Sequence, residues 1–231
     1  MYCRDREQTR LAQYRSPLAV KLRPAVIIVL VLHLFSIGFL LAVMVTEAKA
    51  APGDQIPREA QQHQAALKRN AQMIWGLGAP VATFAAQVHQ ESRWRADARS
   101  PVGALGLAQF MPATAAWIGA HDPALLGAQA TNPTWALRAV VSYDRWLWQR
   151  IKADDECQRM AFTLAAYNGG LGWVYKRQKA SSQPGQCMGA TCAINPGITP
   201  ASQAENERYP KLILQRFEPL YSAWGLGSCS P

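Results

Sequence analysis

The stretch that most limits what this chain can become is "AVIIVLVLHLFSIGFLLAVMV", Ala25 to Val45, broken only by His33, Ser36 and Gly38. Crossing the hydrocarbon of a bilayer takes roughly 20 apolar residues, so the run has the length of a membrane span. Ahead of it, residues 1–24 carry Arg4, Arg6, Arg10, Arg15, Lys21 and Arg23 against Asp5 and Glu7. A basic flank stays in the cytoplasm, which sends everything after Val45 to the other side of the inner membrane. A linker follows over residues 46–56, and Ala48-Lys49-Ala50 has the small-x-small pattern of a signal cleavage site. The run is nevertheless longer than the usual signal core of about 7–15 residues. Cleavage after Ala50 and retention as an anchor both stay open. Either way, residues 57–231 are expected on the periplasmic side as one domain.

That compartment decides how the cysteines read. Cys3 lies on the cytoplasmic flank, whereas Cys157, Cys187, Cys192 and Cys229 lie in the exported part. Four cysteines in an oxidising compartment point to two disulfides with three possible connectivities. The favoured pairs are Cys187–Cys192, across a short loop of small residues, and Cys157–Cys229, tying the C-terminal tail to the body. Zinc would need clustered ligands; His63, His89 and His121 are scattered, so no metal and no other cofactor is expected. From Ala51 onward there are 17 Lys/Arg and 12 Asp/Glu, a difference of +5. This suits an anionic polymer of the envelope. No basic stripe with interleaved aromatics marks a nucleic-acid partner.

Apolar residues beyond Pro57 recur at helical spacing and period-2 alternation is scarce, so the fold class is mostly α. Helices are expected over Pro57–Leu77 and Pro80–Glu91, with a Gly/Ser/Pro-rich loop from Ser92 to about Phe110. Another begins near Pro112. A long one starts at the cap Asn132 and Pro133, with Trp135, Ala139, Val140, Tyr143, Trp146 and Leu147 on one face. Next come "CQRMAFTLAAYNGG", stopped by Gly169-Gly170, and the short "LGWVYKR". Residues 179–200 read as irregular, and a last helix over about Ala201–Ser222 is interrupted or bent near Pro210.

Three stretches bear chemistry. In "FAAQVHQESRW", Phe84, Val88 and Glu91 fall at i, i+4 and i+7, one helix face that should turn inward. Carboxylates are rarely buried alone. Glu91 is then either a helix-end acid paired with Arg93 or Arg95, or a general acid whose proton is held by an apolar pocket. In "PVGALGLAQFMPATA", Gly103 and Gly106 allow sharp bends, and Gln109 is a lone amide flanked by Phe110 and Met111. Such an amide can bind sugar hydroxyls or satisfy the loop's own backbone. In "AAYNGG", Tyr167 and Asn168 sit at a helix end, where Asn can also serve as a C-terminal cap.

In this order, "ES", "GLAQFMPATA" and "AYNGG" resemble the soluble-type (SLT) lytic transglycosylases, over roughly Met73 to Lys179 and more weakly to Tyr221. The resemblance implies a lysozyme-like helical domain shared with goose-type lysozymes, here behind an N-terminal membrane segment. It implies that Glu91 is the catalytic acid and base with Ser92 beside it. It also implies that Gln109, Phe110 and Met111 line a sugar groove and that Tyr167 and Asn168 flank the acid and the substrate. "AENERYPKLI" offers Glu205, Glu207 and Tyr209 for the family's late acid-and-Tyr feature, and Glu207 and Tyr209 are carried over. The exported cysteines and the irregular stretch before Tyr209 depart from common members.

Most glycosidases use two carboxylates. The nearest second one, Asp97, lies between Arg95 and Arg99 and reads as a surface ion pair. Lytic transglycosylases need one Glu: it protonates the oxygen that links N-acetylmuramic acid to N-acetylglucosamine, and the sugar's 6-hydroxyl then closes a 1,6-anhydro ring. Peptidoglycan strands are thus the implied partner. The arrangement also resembles small transglycosylases that accompany conjugation, secretion or pilus machines, which suggests an envelope-spanning complex as a further partner. The rival readings are a hydrolytic muramidase or endolysin of the same fold, and a non-catalytic peptidoglycan-binding component of a secretion apparatus.

Overall fold

The structure is a computed structural model and describes residues 55–229. The basic N-terminus, the apolar run over 25–45 and the cleavage site after Ala50 lie outside the described residues. Among those described, no helix is long and apolar enough to cross a membrane.

Among the described residues, eight α-helices carry the fold: α1 Arg58–Gln61, α2 Gln64–Trp75, α3 Val81–Ser92, α4 Pro112–His121, α5 Pro133–Trp148, α6 Glu156–Gly169, α7 Leu171–Ala180 and α8 Pro200–Lys211. Extended pairing among the described residues amounts to two isolated bridges, Arg99 with Leu105 and Leu105 with Phe110. The centre is α3. Its residues Val81 to His89 are all buried, because five of them are alanine or valine and let neighbours close in from every side. The C-terminal segments pack along it, while α2 covers α5 and α8 covers α6.

Where a cap or stop signal is local, expectation and structure agree. Asn132 accepts the backbone N–H groups of Thr134 and Trp135 at 2.9 and 3.4 Å. Asp155, for which no cap was expected, caps α6 by accepting Gln158 N–H at 2.7 Å. Gly170, at φ 100°, takes the left-handed conformation that ends α6. On α5, Trp135, Ala139, Val140 and Leu147 are buried and Tyr143 and Trp146 half-buried, as the face requires. The disulfides are Cys157–Cys229 and Cys187–Cys192, with Cα–Cα distances of 4.7 and 4.8 Å.

One helix differs from expectation, and the last is interrupted next to Pro210 as expected. The helix expected over Pro57–Leu77 breaks at Gln62-His63, where the His63 ring lies parallel to Trp94 with centroids 6.0 Å apart. The break follows a long-range contact that no local signal encodes. The last helix ends at Lys211. It continues as a wider π-turn segment, Leu212–Phe217, and a tight 3-10 segment, Glu218–Trp224. Pro210 inside α8 has no N–H to give its turn, and the backbone regains its bonding by changing pitch.

Candidate active site

A groove of about 850 Å³ opens where the end of α3, the 100–111 loop, the end of α6 and α8 meet. Glu91, Gln109, Phe110, Met111, Tyr167, Asn168 and Tyr209 all line it. Residues separated by more than a hundred positions are thus brought into one cavity.

Glu91 occupies the last turn of α3. Beyond it, Arg93 and Trp94 both adopt left-handed backbone, at φ 52° and 64°. The buried Trp94 anchors this reversal by donating its indole N–H to Tyr221 Oη at 2.8 Å. The helix therefore stops with Glu91 half-buried at the groove. Burial pushes its carboxyl up to about 8, a neighbouring Glu205 pushes in the same direction, and a hydrogen bond from Tyr209 opposes them. Tyr209 Oη donates to Glu91 Oε1. The tyrosine hydroxyl is itself driven well above its usual range, first by burial and then by the Glu91 charge, so it remains a donor. At neutral pH Glu91 carries a proton and faces open space.

The glycine loop is held from three sides. Gln109 Nε2 donates to Gly106 O at 2.9 Å and to Ala98 O at 3.2 Å. Ser92 Oγ donates to Leu107 O at 2.8 Å, and Tyr167 Oη donates to Ala108 O at 2.6 Å. Three successive carbonyls are each taken by a side chain expected to touch substrate. Such a loop cannot slide, and because both acceptors of Gln109 are carbonyls, its amide NH₂ must face the loop. Gly106, at φ 74°, is needed for a second reason: a Cβ there would lie 2.0 Å from Ala130 O.

The opposite wall rests on a polar chain. Asn168 Nδ2 donates to Glu205 Oε1 at 3.3 Å, and Asn206 Nδ2 donates to Asn168 Oδ1 at 2.9 Å. Asn206 Oδ1 in turn accepts from the buried Arg177 Nη1 at 2.6 Å. The approach of Asn206 requires Gly169, where a Cβ would sit 2.5 Å from Asn206 Nδ2. Phe110 closes the floor in contact with Trp135, Tyr143 and Tyr167.

Two expected site residues lie elsewhere. Ser92 is buried and serves the loop, and does not line the groove. Glu207 points away and pairs with Lys211 at 2.7 Å. Its place is taken by Glu205, which is four residues before Tyr209 and so shares its face of α8; Glu207, two before, cannot. That spacing was available in the sequence. Asp97 is exposed but forms no ion pair among the described residues. Tyr143, Arg93, Arg208 and Arg216 line the groove with no sequence signal that singles them out.

Residues 71–186 match the transglycosylase SLT domain family. A membrane-bound lytic murein transglycosylase F of Shewanella frigidimarina is 34% identical over 103 residues, which is 44% of this chain and 20% of the relative. The protein of that name from Vibrio parahaemolyticus is 29% identical over 133 residues, 57% of this chain and 22% of its own length. The chain thus spans about a fifth of the curated relatives it matches. Among solved structures, the 70 kDa soluble lytic transglycosylase of Escherichia coli superposes with TM-score 0.55 at 26% identity, over 70% of this chain and 24% of that one.

Proposed function

This chain belongs to the transglycosylase SLT domain family, and on that premise we propose that it is a peptidoglycan lytic transglycosylase with Glu91 as its single acid and base. The observation that carries the proposal is a carboxyl that keeps its proton up to about pH 8 while standing at an open groove. Glu91 protonates the oxygen of the β-1,4 link between N-acetylmuramic acid and N-acetylglucosamine as its bond to C1 breaks. The carboxylate so formed takes the proton of the muramyl 6-hydroxyl, whose oxygen closes on C1. The product ends in a 1,6-anhydro ring, no water is consumed, and Glu91 is again an acid. Tyr209 steadies the transient carboxylate, and general acid–base catalysis of this kind contributes about 10²–10⁴-fold.

A hydrolytic reading has one observation in its favour. Glu205 lines the same groove, and a second carboxylate could activate water. Mass spectrometry of digested peptidoglycan separates the two. Anhydro ends from the wild type and none from Glu91→Gln support the transglycosylase; reducing ends alone overturn it.

The work is placed on the periplasmic side of the inner membrane, with the domain anchored through residues 25–45 or released after Ala50. Two disulfides in the described residues suit that oxidising compartment. Remodelling of the wall there, including a local opening for an envelope-spanning machine, is the task the reading assigns.

A further inference from the structure

Beneath the groove lies a second acid that the mechanism above does not use. Asp144 on α5 and Gln87 on α3 are both fully buried. Gln87 is one helical turn before Glu91, on the same face. Gln87 Nε2 donates to Asp144 Oδ1 at 3.4 Å. Gln87 Oε1 and Asp144 Oδ2 have no hydrogen-bond partner.

Read as a carboxylate, Asp144 makes little physical sense. It would hold a charge in the core on one long hydrogen bond, with two acceptor oxygens left unpaired, the costliest arrangement for buried polar groups. One proton removes both faults. A carboxylic acid donates through one oxygen and accepts through the other, and a primary amide does the same in reverse. The titratable groups around the pair are Glu91 from α3, Tyr143 on α5 itself, Tyr167 from α6 and Tyr209 from α8. None is a cation that would stabilise a carboxylate.

We propose that Asp144 is a neutral carboxylic acid whose Oδ2 proton is donated to Gln87 Oε1, and that this acid–amide pair is a positioning element that keeps the floor under Glu91 uncharged. It rests on the reading of Glu91 as acid and base. Turnover requires Glu91 to become a carboxylate briefly, and a second negative charge one turn below would oppose that step. Burial, above all, holds Asp144 well above the carboxylate range. The Glu91 charge, once formed, raises Asp144 further, so the proposal requires that Glu91 ionise first while Asp144 stays neutral. The pair also ties the helix that bears the acid to α5, so its loss should disturb the aim of Glu91 as well as its surroundings.

Carboxyl-carbon NMR of the folded protein, labelled at Asp Cγ and Glu Cδ, reads both groups without turnover. The Asp144 signal should stay that of a protonated acid from about pH 4 through the Glu91 transition near pH 8. Asp144→Asn, a neutral isostere, should leave the Glu91 midpoint within about 0.3 unit and turnover within about threefold. Asp144→Ala should keep that midpoint but lower kcat about tenfold, through lost aim. An Asp144 that titrates below Glu91, or a Glu91 midpoint that falls by about a unit in Asp144→Asn, overturns the proposal. So does an Asn variant as impaired as the Ala variant. If neither variant folds, the wild-type spectra still decide. A wild type that makes no anhydro ends defeats the function proposed above and leaves this protonation result standing.

Discussion

Two carboxylates at opposite ends of α3 have opposite surroundings. Glu218 is buried where the C-terminal tail meets the start of α3. It accepts hydrogen bonds from Thr83 Oγ1 and from the backbone N–H groups of Ser228 and Cys229. A Cβ on Gly227 would lie 2.3 Å from its Oε1, so the tail wraps it closely. Glu91, at the other end of the helix, receives a tyrosine hydroxyl and otherwise faces a groove. A buried carboxylate that accepts from several donors is part of the scaffold. One with few donors beside open space is left able to exchange a proton. The difference lies in how many N–H and O–H groups the fold aims at each acid.

Four experiments break or sharpen this contrast. The largest effect is expected from Glu91→Gln, which should reduce the release of anhydro ends by about 10²–10⁴-fold. The same variant tests the burial of the acid. The folded protein holds the Glu91 proton up to about pH 8, above the unfolded value of 4.5. The resulting stability is present at low pH and is lost as pH rises from about 4.5 to about 8, by at most about 1.4 kcal/mol per unit. Denaturant titrations should show that slope in the wild type and a flatter curve in the variant. A wild type with no loss of stability across this range would remove the physical basis for Glu91 as acid.

Glu218→Ala should do the reverse: cost about 2–4 kcal/mol of stability by orphaning buried donors, with activity per folded molecule unchanged. Tyr209→Phe comes next. It removes the interaction that lowers the Glu91 pKa, so the alkaline limb of the pH–rate profile should move to higher pH. Turnover should fall about tenfold as the transient carboxylate loses its donor. The smallest effect is expected of Glu205→Gln. Glu205 raises Glu91, so its neutralisation should move the same limb slightly to lower pH, leave activity within about threefold and leave the products anhydro. Reducing ends that vanish in this variant would restore the hydrolytic reading.

Much of the scaffold was legible. The cap at Asn132, the Gly170 stop and the apolar face of α5 are local signals, read over a few residues, and the structure follows them. The disulfide pairs came from compartment and spacing. The break at His63 was less legible, because it coincides with a ring contact to Trp94, far along the chain. Within the site, the motif residues were found, but what most of them touch was not. Ser92, Gln109 and Tyr167 look alike in a motif whether they hold sugar or hold the loop; their donors go to three consecutive carbonyls of that loop. Glu205, four residues before Tyr209, shares its face of α8, and Glu207 does not, a relation already carried by the i, i+4 spacing.

By itself, then, the sequence determined that the part beyond Pro57 is helical, where one of its long helices is capped, and which acid stands at the end of a buried stripe. These follow from periodicity and local bonding, which act over a few residues. Only the tertiary structure decided that Tyr209, 118 positions away, donates to that acid, and that Asp144 lies beneath it with its own oxygen unpaired. Proton affinity depends on burial and on donors brought together by packing, and neither is a property of a residue's neighbours along the chain.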